Sequence, residues 1–84
     1  MQFRRADLTD LSYFLEIAKH LNFRRASLEL GLSSSALSHA LRGLEERLGV
    51  RLLNRTSRSV TLTAAGEALR TAILEPFEDI GRAQ

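Results

Sequence analysis

Apolar residues recur at helical spacing over residues 8–21, where Leu8, Leu11, Phe14, Leu15, Ala18 and Leu21 share one side. Asp7 or Thr9 is placed to cap that segment. Asn22 offers a fresh N-cap for a short helix over Phe23–Leu30, and Gly31, coming at once after it, reads as a left-handed C-cap. Leu32 enters the turn. Ser33 then caps a third helix with Leu37, Leu41, Leu44 and Leu48 on one stripe, which Gly49 stops. Only two or three residues separate the second and third helices, so they meet at a steep angle.

The period then changes. Residues 50–55 (Val-Arg-Leu-Leu-Asn-Arg) and 59–62 (Ser-Val-Thr-Leu) are short, with β-branched or apolar positions, and turn residues Thr56-Ser57-Arg58 lie between them. This predicts a small hairpin. Thr63 caps a last helix from Ala64 onward, whose apolar stripe is Ala65, Leu69, Ala72, Ile73, Phe77, Ile80 and Ala83. Pro76 interrupts it and lacks a backbone donor, which predicts a kink or a break there. No internal repeat or low-complexity stretch occurs. The predicted fold is mainly α, in the order helix, helix, helix, hairpin, helix.

The 84 residues allow one small domain, and the 44% hydrophobic, 26% charged composition is that of a globular chain. Absence of Cys excludes a disulfide scaffold, a thiolate metal site and a cysteine nucleophile. No apolar run approaches the roughly 20 residues of a membrane span. Met-Gln-Phe-Arg-Arg at the start has no apolar stretch behind it and is not a signal peptide, so the expected compartment is the cytoplasm. A core this thin, without staples, predicts self-association or origin in a larger parent.

The net charge of +2 says less than its distribution. Residues 22–66 carry seven Arg against three Glu, whereas residues 67–84 carry two Arg against three Glu and one Asp. A basic middle between neutral and acidic flanks points to an anionic partner. Eleven of the twelve basic residues are Arg, whose fork suits phosphate and guanine.

Within residues 22–48, Ser27, Gly31 and Leu37 form the set a helix-turn-helix needs: a small residue at the crossing, a residue tolerating positive φ, and an apolar anchor on the second helix. With the leucine stripe inward, the opposite face of the first turns presents Ser34, Ser35, Ser38, His39 and Arg42. A major groove accepts a helix carrying short hydrogen-bonding groups followed by longer cationic or switchable ones. The bland alternative is an αα-hairpin with solvated serines. The hairpin tip weighs against it. Arg58, with Arg55 and Thr56 nearby, can reach the neighbouring minor groove or its phosphates.

Asn22-Phe-Arg-Arg-Ala26-Ser, Leu30-Gly-Leu-Ser33, Ala36-Leu-Ser38-His, Leu44-Glu-Glu-Arg-Leu-Gly49, Arg51-Leu-Leu-Asn-Arg55-Thr56 and Leu62-Thr63-Ala-Ala-Gly66-Glu67 resemble the DNA-binding domain of LysR-type transcriptional regulators. The resemblance runs from about Asp7 to Leu69 in unbroken register. It implies a winged helix-turn-helix (three helices and a two-stranded wing) over residues 1–63, and a long linker and dimerisation helix over residues 64–84. It further implies sequence-specific binding of operator DNA as a homodimer. The recognition helix, about 34–48, would lie in the major groove and the wing, about 50–62, at the minor groove.

Carried over by position, base contacts fall on Ser34, Ser35, Ser38 and His39, the wing contact on Arg58, and backbone contacts on Arg24, Arg25, Arg42, Arg55 and Thr56. Ser34 stands where Gln is usual, His39 where Arg is frequent, Arg24 where Thr is common, and Leu28 where a polar residue is usual, which predicts an exposed leucine. These departures leave the fold intact and put the inherited DNA preference in doubt. Family members carry a ligand-sensing domain after the linker helix, and this chain stops at Gln84. The expectation is therefore an excised fragment, with a natural stand-alone protein as the alternative. A small-molecule effector would act only through that further domain.

Other polar groups give no site of a different kind. His20 ends the first helix, where a cation suits the dipole. Glu45 and Glu46 are expected to pair with Arg42 or Arg47, or to face solvent. Tyr13 and Phe14 read as core. No metal-ligand spacing or nucleophile–base pair is present, so no cofactor, metal or catalytic residue is expected. The last helix, with Leu69, Ile73, Phe77 and Ile80, has little domain left to pack on. A single copy would leave that stripe wet, which predicts an antiparallel two-fold dimer through residues 64–84. The competing reading is a winged-helix protein-interaction module, docking a partner on that stripe.

Overall fold

Polar caps divide the chain where the pattern predicts. The computed structural model describes residues 5–56 and 59–82, with side chains for 8–56 and 59–74. Helices α1 (Arg5–His20), α2 (Phe23–Leu30) and α3 (Ser34–Leu48) precede strands β1 (Leu53–Arg55) and β2 (Val60–Leu62), and α4 (Ala64–Arg82) closes the chain. Asn22 Oδ1 accepts from the Arg25 amide at 2.9 Å, and Ser33 Oγ accepts from the Ala36 amide at 3.1 Å. Gly31 ends α2 at φ 70°, a conformation that would strain a residue with a side chain.

The start and end of α1 differ from expectation. The helix is already formed at Arg5, so Asp7 and Thr9 lie inside it and neither opens it. An apolar stripe marks where packing begins, and a polar first turn lies beyond its reach. At the other end, Leu21 is outside the helix at φ 50°, and its amide closes onto the Ile17 carbonyl at 2.6 Å. Left-handed geometry at a non-glycine costs about 1–2 kcal/mol. The close approach of α2, whose cap follows at once at Asn22, holds it there.

The core joins Leu11, Phe14 and Ile17 of α1, Ala26 of α2, Leu37, Leu41 and Leu44 of α3, Leu52 and Leu53 at the wing, and Ile73 of α4. Full burial of each large member contributes about 1.5–3 kcal/mol. Ile17 is missing from the predicted stripe, and Leu8, predicted inward, is exposed. Tyr13 packs at the margin of the core and Phe14 within it, as expected. On the outer side of α3, Arg47 pairs with Asp10 of α1. His20 stands in the last turn of α1 with Nε2 3.4 Å from the Glu16 carboxylate.

The wing is narrower than the hairpin predicted over 50–55 and 59–62. Leu53 pairs with Leu62, Asn54 with Thr61 and Arg55 with Val60 in antiparallel register. The Thr56 amide donates to the Ser59 carbonyl at 2.9 Å, and the Ser59 amide donates to Thr56 Oγ1 at 2.9 Å. Arg51 and Leu52 are held by other groups. Thr63 donates through its amide to the Leu52 carbonyl at 3.0 Å and through Oγ1 to the Arg51 carbonyl at 2.6 Å. The same hydroxyl accepts from the Gly66 amide at 2.9 Å, so Thr63 caps α4 as predicted.

The packing of α4 corrects the expectation of a wet stripe. Ile73 is 8% exposed within the core, and Leu69 is half-buried against it. The helix turns back along α1, so packing of the winged domain continues past residue 63. Phe77 and Ile80 lie outside the described side chains. The helix runs through Pro76, so no break occurs there. Among the described residues, no helix is long and apolar enough to cross a membrane, and no His, Asp or Glu cluster could hold a metal ion.

Candidate nucleic-acid interface

The helix-turn-helix is fastened by small hydroxyls. Ser27, 4% exposed, occupies the crossing of α2 and α3. Its Oγ donates to the Arg24 carbonyl at 2.7 Å and lies 3.3 Å from Ser34 Oγ. The Leu32 amide closes the turn onto the Ser27 carbonyl at 3.0 Å. A larger side chain at 27 would force the helices apart, and an apolar one would orphan no buried donor but lose the tie to Ser34.

This anchoring fixes which face α3 shows. Ser34, Ser35, His39 and Arg42 are exposed, and Ser38 is half-buried. Two of the predicted base-reading serines already have partners within the chain. Ser34 meets Ser27, and Ser38 Oγ accepts from Arg55 Nη1 at 2.6 Å. Ser35 lies 3.4 Å, oxygen to oxygen, from the capping Ser33. The outer part of the face therefore falls to Ser35, His39 and Arg42.

Arg55 brings the wing to this face. Its guanidinium lies over the Phe23 ring, 4.3 Å from the centroid, while one arm of the fork holds Ser38. Stacking and the hydrogen bond together fix a long side chain that would otherwise sample many rotamers. Burial lowers its proton affinity; Glu45 opposes that effect, and Arg42 and Arg51 add to it. The group stays cationic at any physiological pH.

A cleft beside it is lined by Arg42, Glu45, Arg51, Leu53 and Arg55. Glu45 was expected to pair with Arg42 or Arg47, or to face solvent. Instead its Oε2 accepts from the Leu52 amide at 2.7 Å and the Leu53 amide at 3.3 Å. The carboxylate thus holds the entry to the wing, and the guanidinium groups ring a mouth of net positive charge. Arg24 and Arg25 are exposed in the first turn of α2, and Thr56 is exposed where the wing turns. Arg58 lies outside the described residues. Leu28 is 74% exposed, as its departure from the usual pattern predicts.

Phe23, Arg51 and Glu45 are the residues that sequence reasoning missed here. In the sequence Phe23 opens a predicted helix and Arg51 lies in the first run of the predicted hairpin, and neither carries a site role in the family motif. The partners of Glu45 lie seven and eight residues downstream across a turn. Helical spacing gives no sign of such a contact.

Residues 8–67 match the model of the bacterial regulatory helix-turn-helix protein family, lysR family. The chain is 47% identical over 76 residues to the uncharacterised HTH-type transcriptional regulator YcaN of Escherichia coli (strain K12), covering 90% of this chain and 25% of that protein. It spans about a quarter of the length of the curated relatives it matches. Among solved structures, the BenM DBD in complex with catB site 1 DNA superposes with a TM-score of 0.84 at 29% identity, covering 90% of this chain and 84% of that one. A complex of the CbnR DBD with DNA gives 0.81 at 35% identity, covering 89% and 86%. Through this match over most of its length and the winged-helix architecture it shares with those domains, the chain belongs to the LysR family of bacterial helix-turn-helix regulators.

Proposed function

We propose that this chain binds double-stranded DNA in a sequence-specific manner, as the DNA-reading part of a LysR-type transcription regulator. The observation that carries the reading is the α3 face. Ser35, His39 and Arg42 stand exposed beside Ser34 and Ser38, and Arg55 of the wing is locked onto the same surface. Likeness to the BenM and CbnR domains in their DNA complexes supports it.

In this reading α3 enters the major groove, and Ser34, Ser35, Ser38 and His39 meet base edges. Arg24, Arg25, Arg42, Arg55 and Thr56 contact the backbone and fix register, with Arg58 at the tip of the wing. The chemistry is non-covalent and needs no cofactor, metal or catalytic residue. Two copies pair through α4 as a homodimer, placing two recognition helices roughly 34 Å or a multiple apart on one side of the duplex. The compartment is the cytoplasm.

The test is in vitro selection from a random duplex library at near-physiological salt. Enrichment of an inverted repeat, with affinity falling as salt rises, is the expected outcome. No retention of duplex even at low salt would reject the reading. Arg42→Ala should weaken all sequences alike and flatten the salt slope by about one unit, whereas His39→Ala should change base preference.

A further inference from the structure

Ser38 is not a free hydroxyl on the α3 face. Its oxygen receives a 2.6 Å hydrogen bond from the Arg55 guanidinium, and the face of that guanidinium rests on the Phe23 ring at 4.3 Å. Three elements thus converge on one hydroxyl: α2 through Phe23, the wing through Arg55, and α3 through Ser38 itself. A serine oxygen has one hydrogen to give and lone pairs to receive with. The cation takes one of the two lone pairs and turns the hydrogen away from itself. A charged donor also polarises the hydroxyl and strengthens its own donation. No acceptor for the Ser38 hydrogen stands among the described residues.

We propose that Ser38 enters the groove as a hydrogen-bond donor whose polarity is set by Arg55, and that Phe23 is a positioning residue for this base readout. The inference rests on the DNA-binding reading above. A donor in the major groove selects the acceptor edges: N7 of a purine, O6 of guanine or O4 of thymine. It disfavours the amino groups of cytosine and adenine. The arrangement also links the wing to the recognition helix, since movement of β1 would carry Arg55 off Ser38.

The experiment compares selected sites for the unmodified chain, Ser38→Ala, Phe23→Leu, Phe23→Tyr, Arg55→Lys and the Ser38→Ala/Phe23→Leu double variant. Salt titration runs beside it, and circular dichroism confirms that each variant is folded at the binding temperature. Ser38→Ala, Phe23→Leu and Arg55→Lys should each lose preference at the same base pair by about fivefold, the worth of one hydrogen bond. Phe23→Tyr keeps the ring and should keep the preference. None of these changes removes a charge, so the salt slopes should match the unmodified chain. The double variant should lose no more than either single one, because both act on one contact. Replacing the favoured purine by its 7-deaza analogue, or the favoured thymine by one lacking O4, should abolish the Ser38 effect.

Additive losses in the double variant would overturn the proposal. So would an Arg55→Lys protein that keeps the base preference at the pair sensitive to Ser38→Ala. In either case salt-dependent duplex binding by the unmodified chain would persist, leaving the functional reading standing. Loss of that binding in the unmodified chain would reject both.

Discussion

A methyl group added at Gly66 would stand 2.2 Å from the Leu52 carbonyl oxygen, which is backbone and cannot swing aside. Gly31 differs: nothing lies within 4 Å of the added carbon, and the difficulty is its φ of 70°. Gly66→Ala should therefore cost about 3 kcal/mol and lower Tm by roughly 10–20 °C, whereas Gly31→Ala should cost about 1 kcal/mol, with Gly31→Asn gentler still. Thermal unfolding decides it, and a Gly66→Ala chain melting above Gly31→Ala would contradict the close-approach argument. Residues whose partners are local were legible in the sequence. Asn22, Ser33 and Thr63 each cap an amide three residues on. Residues whose partners are distant were not: Arg55 reaches Ser38 across 17 positions, and no local pattern encodes that contact.

At the scale of elements, the joint between α3 and the wing depends on Glu45. Its main-chain carbonyl accepts from the Gly49 amide at 2.8 Å and the Val50 amide at 3.2 Å, while its carboxylate takes the Leu52 and Leu53 amides. One residue thus ends the helix and aims the strand that carries Arg55. Glu45→Ala would leave the amides of two buried leucines unpaired, at a cost of about 1–3 kcal/mol. Glu45→Gln keeps an oxygen in reach and should cost less. Amide hydrogen exchange gives a direct reading: Leu52 and Leu53 should exchange faster in the alanine variant. Unchanged protection there would mean that the turn holds itself. The hairpin was legible as β-branched and apolar runs around a turn, but its outer residues were not. The Leu52 carbonyl still takes the Thr63 amide in register, but the Leu52 amide goes to Glu45 and the Arg51 carbonyl to the Thr63 hydroxyl, and alternation in sequence cannot register those competing partners.

Across the whole molecule, the apolar stripe of the last helix is committed at its N-terminal end to the core of its own domain. Ile73 is buried in the core formed with α1 and α3, and Leu69 packs against it. The sequence shows a helix with a continuous stripe. It does not show which neighbour takes each part, because helical spacing is the same for a core and for a dimer seam. Docking of Ile73 on its own domain shifts the proposed pairing surface toward the C-terminal half, where Phe77 and Ile80 continue the stripe in sequence. Substitutions along α4 should therefore separate. Ile73→Ala should destabilise the single domain by about 2–4 kcal/mol, visible in urea unfolding at concentrations low enough for monomer. Phe77→Ala and Ile80→Ala should leave that unfolding unchanged but raise the dimer dissociation constant at least about tenfold, as removal of a packed aromatic or aliphatic anchor does. Sedimentation equilibrium over a range of concentrations measures the second effect. Loss of dimer from Ile73→Ala with unaltered domain stability would place Ile73 at the seam. Dimerisation indifferent to Phe77 and Ile80 would move the seam off this stripe. If the separation holds, the helix fixes the spacing of two recognition helices from a base rigidly joined to each domain, so half-site spacing on DNA should respond to changes at Phe77 and Ile80 before the fold does.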